Sequence, residues 1–282
     1  MERVIITGAW GNLGRVVVPL LAGFFKVFPL GRRDGDITDF ELLKAIFNKT
    51  RPSVVIHLAA ITDIDVCEEA PEVAYNVNVE GTRNVVRLCE KFGARLIFTS
   101  SPFVFDGKKE GEYIESDIPN PLNIYGKTKL NAEKIVLDSS VQSIILRLGW
   151  LFGPYIRRFS SKLIKSIIKE EPIELATDSF FSPLYTIDCA HFILNAIVER
   201  RTGIIHLSND GMCSSYEFGC YLAEKLKKKK PLTTRFENLK FKVHRPINFS
   251  ISSQSGLKLR HWKEAIDCFI EEIKEKPFLL FS

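Results

Sequence analysis

An α/β doubly wound fold, a parallel sheet with helices on both faces and a smaller C-terminal lobe, is predicted by three observations. Over the first 150 residues, short runs that are apolar throughout alternate with segments of helical period. A strand apolar on both faces is buried on both, which is the condition of a parallel sheet covered by helices. The first such run passes directly into a glycine-rich turn and a helix, the opening of a mononucleotide-binding unit. The chain has 282 residues and is 45% hydrophobic, enough to bury a large core.

The elements follow in order. Residues 4–7 form the first strand and 11–22 the first helix, with the glycine turn between. Residues 26–30 form the second strand, 40–48 a helix and 54–58 the third strand. Pro71 opens a long helix over 72–92, because proline is preorganised for a first helical turn, and Ala74, Val77, Val85 and Leu88 keep helical spacing. Residues 95–99 form the fourth strand, 125–137 a helix and 143–148 the fifth strand. Beyond Trp150 prolines and loops become frequent. Helices are expected over 157–168, 188–198, 216–227 and 262–273, and a strand over 204–207. Residues 1–150 therefore read as a dinucleotide-binding domain. Residues 151–282 read as mainly a substrate-binding lobe, with some segments returning to the sheet.

Composition excludes several classes. Charged residues make up 26%, so global disorder is excluded. Lys plus Arg is 39 against 34 for Asp plus Glu, a net charge of +5 too mild for a dedicated nucleic-acid binder. The lysines at 227–230, with Lys225, read as a solvated helix end. No run approaches the ~20 apolar residues of a membrane span, and the N-terminus lacks the pattern of a signal peptide. The apolar end Pro277, Phe278, Leu279, Leu280 and Phe281 is expected to dock on the body or on a partner chain. Cys67, Cys89, Cys189, Cys213, Cys220 and Cys268 show neither close pairing nor metal-ligand spacing. They read as reduced thiols, mostly buried, of a cytoplasmic protein, and no metal site is expected.

The turn reads Thr7-Gly8-Ala9-Trp10-Gly11-Asn12-Leu13-Gly14. Gly8 permits the tight turn, Gly11 lets the backbone approach a pyrophosphate, and Gly14 lets helix and strand pack closely. The helix start around Asn12 and Leu13 offers free N–H donors and the positive end of a dipole. The second strand ends in Leu30-Gly31-Arg32-Arg33, where an NAD-binding protein usually carries an acid. Guanidinium groups there suit a ribose 2′-phosphate, so NADP(H) is favoured. NAD(H) stays possible through Asp34 or Asp36, should the loop curl back.

Tyr125 and Lys129 form Tyr-x-x-x-Lys, and positions four apart share a helix face. A free Tyr has a pKa of ~10, and bringing it to ~7 takes about 4 kcal/mol. A Lys cation at ~4–5 Å, at an effective dielectric of ~20, supplies about that much. Such a Tyr can exchange a proton with a substrate oxygen near neutral pH. The fourth strand ends Thr99-Ser100-Ser101-Pro102, and a hydroxyl at a strand C-terminus can hold a substrate carbonyl in the ligand crevice.

Together these residues resemble the extended branch of the short-chain dehydrogenase/reductase superfamily, and within it the dTDP-4-dehydrorhamnose reductase family. The resemblance spans nearly the whole chain. It is carried by Asp36-Ile37-Thr38-Asp39, by His57-Leu58-Ala59-Ala60-Ile61-Thr62-Asp63, and by Asn78-Val79-Glu80-Gly81-Thr82. It continues through Val104-Phe105-Asp106-Gly107, Tyr125-Gly126-Lys127-Thr128-Lys129, Trp150-Leu151-Phe152-Gly153 and Arg245-Pro246-Ile247-Asn248. It implies NAD(P)H-dependent reduction of the 4-keto group of a nucleotide-linked deoxysugar. By position, Ser101 matches the catalytic hydroxyl and Tyr125 the proton donor, while Lys129 would bind the nicotinamide ribose. Asp36 and Ile37 would lie by the adenine, and Leu58, Ala59 and Ala60 along the cofactor. Thr62, Phe103 and Trp150 would face the sugar, and Arg245 is the candidate for a substrate diphosphate. A homodimer through the 72–92 helix is implied as well.

The chain departs from the family where Ser-Thr-Asp-Tyr usually precedes Val-Phe-Asp-Gly. Here Ser100-Ser101-Pro102-Phe103 removes two polar sugar contacts. Two alternatives compete with the reductase: an epimerase of the same fold, and a non-catalytic NADP-binding regulatory subunit. A 4,6-dehydratase would need an acid pair that Pro102-Phe103 does not supply.

Overall fold

A computed structural model describes residues 1–156 and 159–275. Five strands, β1 (Arg3–Thr7), β2 (Lys26–Leu30), β3 (Val54–His57), β4 (Arg95–Ser100) and β5 (Ser143–Leu148), join the strand Gly203–Leu207 in one sheet. The order is Gly203–Leu207, β5, β4, β3, β1, β2, and every pairing is parallel. Every residue of β3 is buried, as a strand with helices on both faces requires. β2 lies at the edge and carries Pro29, tolerated because an edge strand has one row of amides without a partner strand.

From β1 the chain goes to β2 on one side and returns to β3 on the other. The ligand crevice of an open sheet lies at such a reversal, outside the strand C-termini. Here those ends carry Thr7 and His57.

Gly14–Ala22 and Thr186–Val198 cover one face, burying Val17, Leu21, Ile193 and Ala196 against the sheet. Phe40–Thr50, Gly81–Phe92 and Ile124–Leu137 cover the other with Leu43, Phe47, Val85, Leu88 and Val136. A segment from the second half of the chain thus supplies both a sheet strand and a covering helix.

The first helix begins at Gly14, later than position 11, because residues 11–13 belong to the turn. The expected 72–92 helix is interrupted. It runs as Pro71–Tyr75, a π-helical turn Asn76–Glu80, then Gly81–Phe92. A wide turn accommodates one extra residue without ending the helix. Apolar spacing is too coarse to reveal it.

The remaining helices, Phe159–Lys169, Ser215–Leu226 and Trp262–Glu275, enclose a second core around Phe152, Phe181, Phe218, Trp262 and Phe269. Much of the phenylalanine excess is therefore packing. Small strands missed by the sequence reading border this core. Trp150–Phe152 pairs with Pro183–Tyr185, and Phe180–Phe181 lies between Cys213–Ser214 and Asn248–Phe249. At two or three residues they are too short for alternation to register.

Lys227 ends the Ser215–Leu226 helix in the left-handed conformation, and the lysines after it line its solvated exit. None of the six cysteines forms a disulfide, and four are buried. No described helix is long and apolar enough to cross a membrane. The expected helix start at 157 and the apolar end at 277–281 lie outside the described residues.

Candidate active site

Gly8 has φ +67°, and a Cβ there would stand 2.7 Å from the Ala59 amide nitrogen. A Cβ on Gly14 would meet the Gly8 carbonyl at 2.4 Å, so both positions exclude a side chain. At Gly11 the Gly8 oxygen is the sole neighbour, at 3.2 Å, and the backbone otherwise faces open space. The Asn12 and Leu13 amides have no protein acceptor among the described residues, and the first helical turn has no acid. Ala9 N–H donates to the Leu30 carbonyl at 3.1 Å, which joins the turn to the end of β2.

Beyond β2, Arg32 and Arg33 are exposed and form no ion pair within 4.0 Å among the described residues. The two acids that could serve an NAD ribose already have partners. Asp34 accepts from Trp10 Nε1 at 3.4 Å, and Asp36 Oδ1 accepts from the Thr38 amide and hydroxyl at 2.9 and 2.8 Å. The Thr38 amide, with its hydroxyl and Arg32, holds the Asp36 carboxyl below its ordinary range. Ile37 is buried under Gly81. Free turn amides, unpaired guanidiniums and occupied acids fit a 2′-phosphorylated dinucleotide.

Tyr125 and Lys129 lie in the helix Ile124–Leu137 and are buried, as is Ser101. Asn123 caps the helix by accepting from the Gly126 amide at 2.9 Å, and its Nδ2 donates to the His244 carbonyl at 2.9 Å. Gly126 is what brings this helix to the end of β4. A Cβ on Gly126 would lie 2.1 Å from the Phe103 carbonyl oxygen. The tyrosine helix thus rests on the 3-10 turn Pro102–Val104, whose cap, Ser101, accepts the Phe103 amide at 3.3 Å. The same contact sets the Phe103 ring edge-on to Tyr125, with centroids 5.9 Å apart.

Two polar chains hold this arrangement from behind. Asn78, in the π turn, accepts from the Ile61 amide at 2.8 Å and donates to the Ile61 carbonyl at 2.9 Å and Thr128 Oγ1 at 3.0 Å. Thr128 in turn donates to the Tyr125 carbonyl at 2.8 Å. In the second chain the Thr82 hydroxyl donates to the Asn78 carbonyl at 2.7 Å, so it accepts from His57 Nε2 at 3.1 Å. His57 Nδ1 then accepts from the Thr7 hydroxyl at 2.7 Å, and Thr7 accepts the Ala59 amide at 3.3 Å. Every donor has a place only if His57 is neutral. Its burial, with the Lys129 cation, pushes its pKa down to about 3. His57 is therefore a packed, neutral strut.

Lys129 stands over the Phe98 ring, Nζ 4.3 Å from the centroid. Burial lowers its pKa to about 8, opposed by the Glu133 carboxylate one turn further on. Glu133 is paired at both oxygens with Arg147 of β5, at 3.0 and 2.8 Å, and accepts the Ser100 hydroxyl. The sequence reading gave no role of their own to Asn78, Glu133 and Arg147. The signals available were an Asn in an apolar helix face and a carboxylate at i+4 from Lys129.

On the other side, Phe103, Phe249, Phe181 and Trp150 form a continuous aromatic series, with successive centroids 5.2, 5.7 and 4.7 Å apart. Trp150 is half-buried and Thr62 exposed. Arg245 lies over the Phe241 ring at 4.5 Å, and Nη2 meets both Asp65 oxygens at 3.3 Å. Its Nε is buried with no partner among the described residues. Val243 packs into the apolar cluster around Tyr125. Leu58, Ala59 and Ala60 continue from β3 beside the glycine turn, with the Leu58 amide on the Thr7 carbonyl at 3.2 Å. Among the described residues no cluster of His, Cys, Asp or Glu could hold a metal ion.

A doubly wound sheet with a glycine-rich first turn, and a buried Tyr–Lys pair at the mouth of its crevice, defines an extended short-chain dehydrogenase/reductase. More narrowly, the chain belongs to the RmlD substrate binding domain family, whose pattern matches residues 1–275. It is 30% identical to a dTDP-4-dehydrorhamnose reductase of Aggregatibacter actinomycetemcomitans, over 94% of this chain and 97% of that protein. A dTDP-4-dehydrorhamnose reductase of Bacillus anthracis, solved in complex with NADP, superposes with a TM-score of 0.91. It is 32% identical, over 96% of this chain and 99% of the other. Methionine adenosyltransferase 2 subunit beta of Xenopus tropicalis is 30% identical over 95% of this chain and 80% of its own length.

Proposed function

We propose that the protein reduces the 4-keto group of a dTDP-linked 6-deoxysugar with NADPH, as a dTDP-4-dehydrorhamnose reductase does. The observation that carries this reading is the Tyr125–Lys129 pair, held against the Ser101 turn by the Gly126–Phe103 contact. Holding the ribose needs only the lysine; the Tyr125 and Ser101 hydroxyls set beside it are needed only for proton transfer. That surplus is why the reductase is preferred over a regulatory subunit, although one relative carries a subunit's name.

In this reading residues 1–150 hold the dinucleotide and 151–282 mainly the sugar. Gly8, Gly11, Asn12, Leu13 and Gly14 cradle the pyrophosphate. Arg32 meets the 2′-phosphate, Asp36 and Ile37 border the adenine, and Leu58, Ala59 and Ala60 line the cofactor. The reduced nicotinamide, when bound, supplies the hydride to C4. Ser101 Oγ and Tyr125 Oη donate to the carbonyl oxygen, and Tyr125 passes its proton there as the C4 alcohol forms. Lys129 stabilises the phenolate left behind and holds the ribose. Thr62, Phe103 and Trp150 face the sugar, and Arg245 meets the diphosphate.

Six cysteines outside any disulfide support a cytoplasmic setting. A homodimer across the 71–92 helical run accompanies this reading and is checked by light scattering. The function itself is tested by the fall in absorbance of NADPH with dTDP-4-dehydrorhamnose. Wild-type turnover that Tyr125→Phe abolishes, with cofactor still bound, supports it. Absence of wild-type turnover refutes it.

A further inference from the structure

Behind Lys129 lies a buried charge network that the chemistry above does not use. Glu133 and Arg147 have side chains 1% and 3% exposed, and Arg147 Nε and Nη2 engage the two carboxylate oxygens. Such a pair is a costly way to fill a core. Apolar residues of the same shape often serve equally well. The network is also closed at its outer end. Arg147 Nη1 donates to His206 Nε2 at 3.2 Å, so His206 is the Nδ1–H tautomer, shared between the Tyr113 and Ser252 carbonyls at 3.0 and 3.1 Å. The Phe105 ring covers Arg147 at 5.1 Å. Glu133 is therefore held in place, one turn after Lys129 in the helix Ile124–Leu137, and positions four apart share a helix face.

We infer that Glu133 is a positioning residue for the reduction: held by Arg147 and Ser100, it keeps Lys129 protonated in an otherwise apolar site, and so keeps Tyr125 an effective acid. The inference rests on the Tyr125–Lys129 chemistry proposed above. The other groups around Lys129 do not supply this charge. From β3 it faces His57, which is neutral, and from β4 the Phe98 ring and the Ser100 hydroxyl. The π turn contributes the uncharged Asn78, Gly81–Phe92 the neutral Thr82 and buried Cys89, and Ile64–Glu69 the buried Cys67; the Glu68 carboxylate of that segment accepts the Ile124 amide at 3.0 Å, at the helix start more than a turn before Lys129. Arg147 and His206 lie beyond Glu133, and neither is negative. Glu133 is one helical turn from Lys129 but two from Tyr125, about 12 Å along the axis, so it acts on the tyrosine through the lysine.

Glu133→Gln removes the carboxylate and leaves Arg147 facing Lys129, so Lys129 deprotonates at lower pH. The alkaline limb of kcat/KM moves down by about one pH unit, and activity at pH 9, above the limb, falls nearly tenfold more than at pH 6, about the fold-change of one unit. Glu133→Asp restores the limb. A second readout needs no substrate: the tyrosinate absorbance, taken as the difference from Tyr125→Phe, has its midpoint raised in Glu133→Gln because the phenolate loses its cation. This still reports if the sugar substrate is wrongly assigned. Because a lone buried Arg147 is a threat to folding, the double variant Glu133→Gln/Arg147→Met, which removes both charges, is measured as well, and the same shifts are expected. Folded variants whose limb and midpoint match wild type, with only a uniform fall in rate, overturn the inference and leave the pair a structural one.

Discussion

Replacing Lys129 by Met should make the folded protein more stable while destroying its activity. Lys129 is 3% exposed, and burial moves its pKa from 10.5 to about 8. Holding the cation in that site therefore costs about 3 kcal/mol relative to water. The contact with the Phe98 ring returns part of this, between about 0.5 and 2 kcal/mol. Met keeps the length and apolar stem of Lys, so the net gain at neutral pH is about 1–3 kcal/mol. The sign fixes its pH dependence. The folded-state pKa is depressed, so the penalty is complete below about pH 8, where Lys129 is charged in both states. It fades towards pH 10.5, where both states lose the proton. Urea unfolding of the cofactor-free protein at pH 7 and at pH 10.5, wild type against Lys129→Met, measures it. A gain at pH 7 that shrinks at pH 10.5 is expected. A variant less stable than wild type at pH 7, or a gain independent of pH, refutes the reasoning.

Three further outcomes follow from the same geometry. Gly126→Ala places a Cβ within 2.1 Å of a backbone oxygen, so the tyrosine helix must lift from the Pro102–Val104 turn; turnover should fall at least about a hundredfold, since small misplacements at a reacting centre cost that much, and unchanged kinetics count against the contact. Arg32→Ser with Arg33→Ser should raise the KM for NADPH about 10- to 100-fold, the worth of a charge-assisted phosphate contact, and leave NADH nearly unaffected; equal losses for both cofactors remove the 2′-phosphate assignment. His57 is held neutral with its pKa lowered to about 3 from 6.5, so its contribution is complete above pH 6.5 and is lost as pH falls towards 3, by up to about 1.4 kcal/mol per pH unit. Urea unfolding from pH 7 to 4 should give wild type a steeper decline than His57→Asn, and parallel declines contradict the buried chain.

The sheet and the cofactor side were largely legible because their signals are local. Apolar strands, a glycine turn and Tyr-x-x-x-Lys each need only a few neighbouring positions, and the glycines are required by backbone contacts within that same unit. What escaped depends on contacts distant in sequence. Asn78 gains its meaning from Ile61 and Thr128, and Glu133 from Arg147 and Ser100, across different elements. The Val-Phe-Asp-Gly and Arg-Pro segments read as separate marks, yet a Cβ on Gly107 would stand 2.6 Å from the Pro246 side chain. The two form one turn-on-turn contact. Arg245, the candidate for a diphosphate, also meets Asp65 and leaves one donor unfilled among the described residues. Only a fold could reveal that acid, 180 residues earlier in the chain.

The central claim is that Tyr125, made a stronger acid by the Lys129 cation, protonates a sugar oxygen as a hydride arrives. It is tested most directly by single-turnover oxidation of NADPH with dTDP-4-dehydrorhamnose, followed by absorbance, in wild type and Tyr125→Phe with cofactor affinity measured alongside. The account expects wild-type turnover, and in the variant a loss of at least about a hundredfold with NADPH affinity within a few-fold, since general acid catalysis contributes about that much. A variant that reduces the sugar as fast as wild type would contradict it.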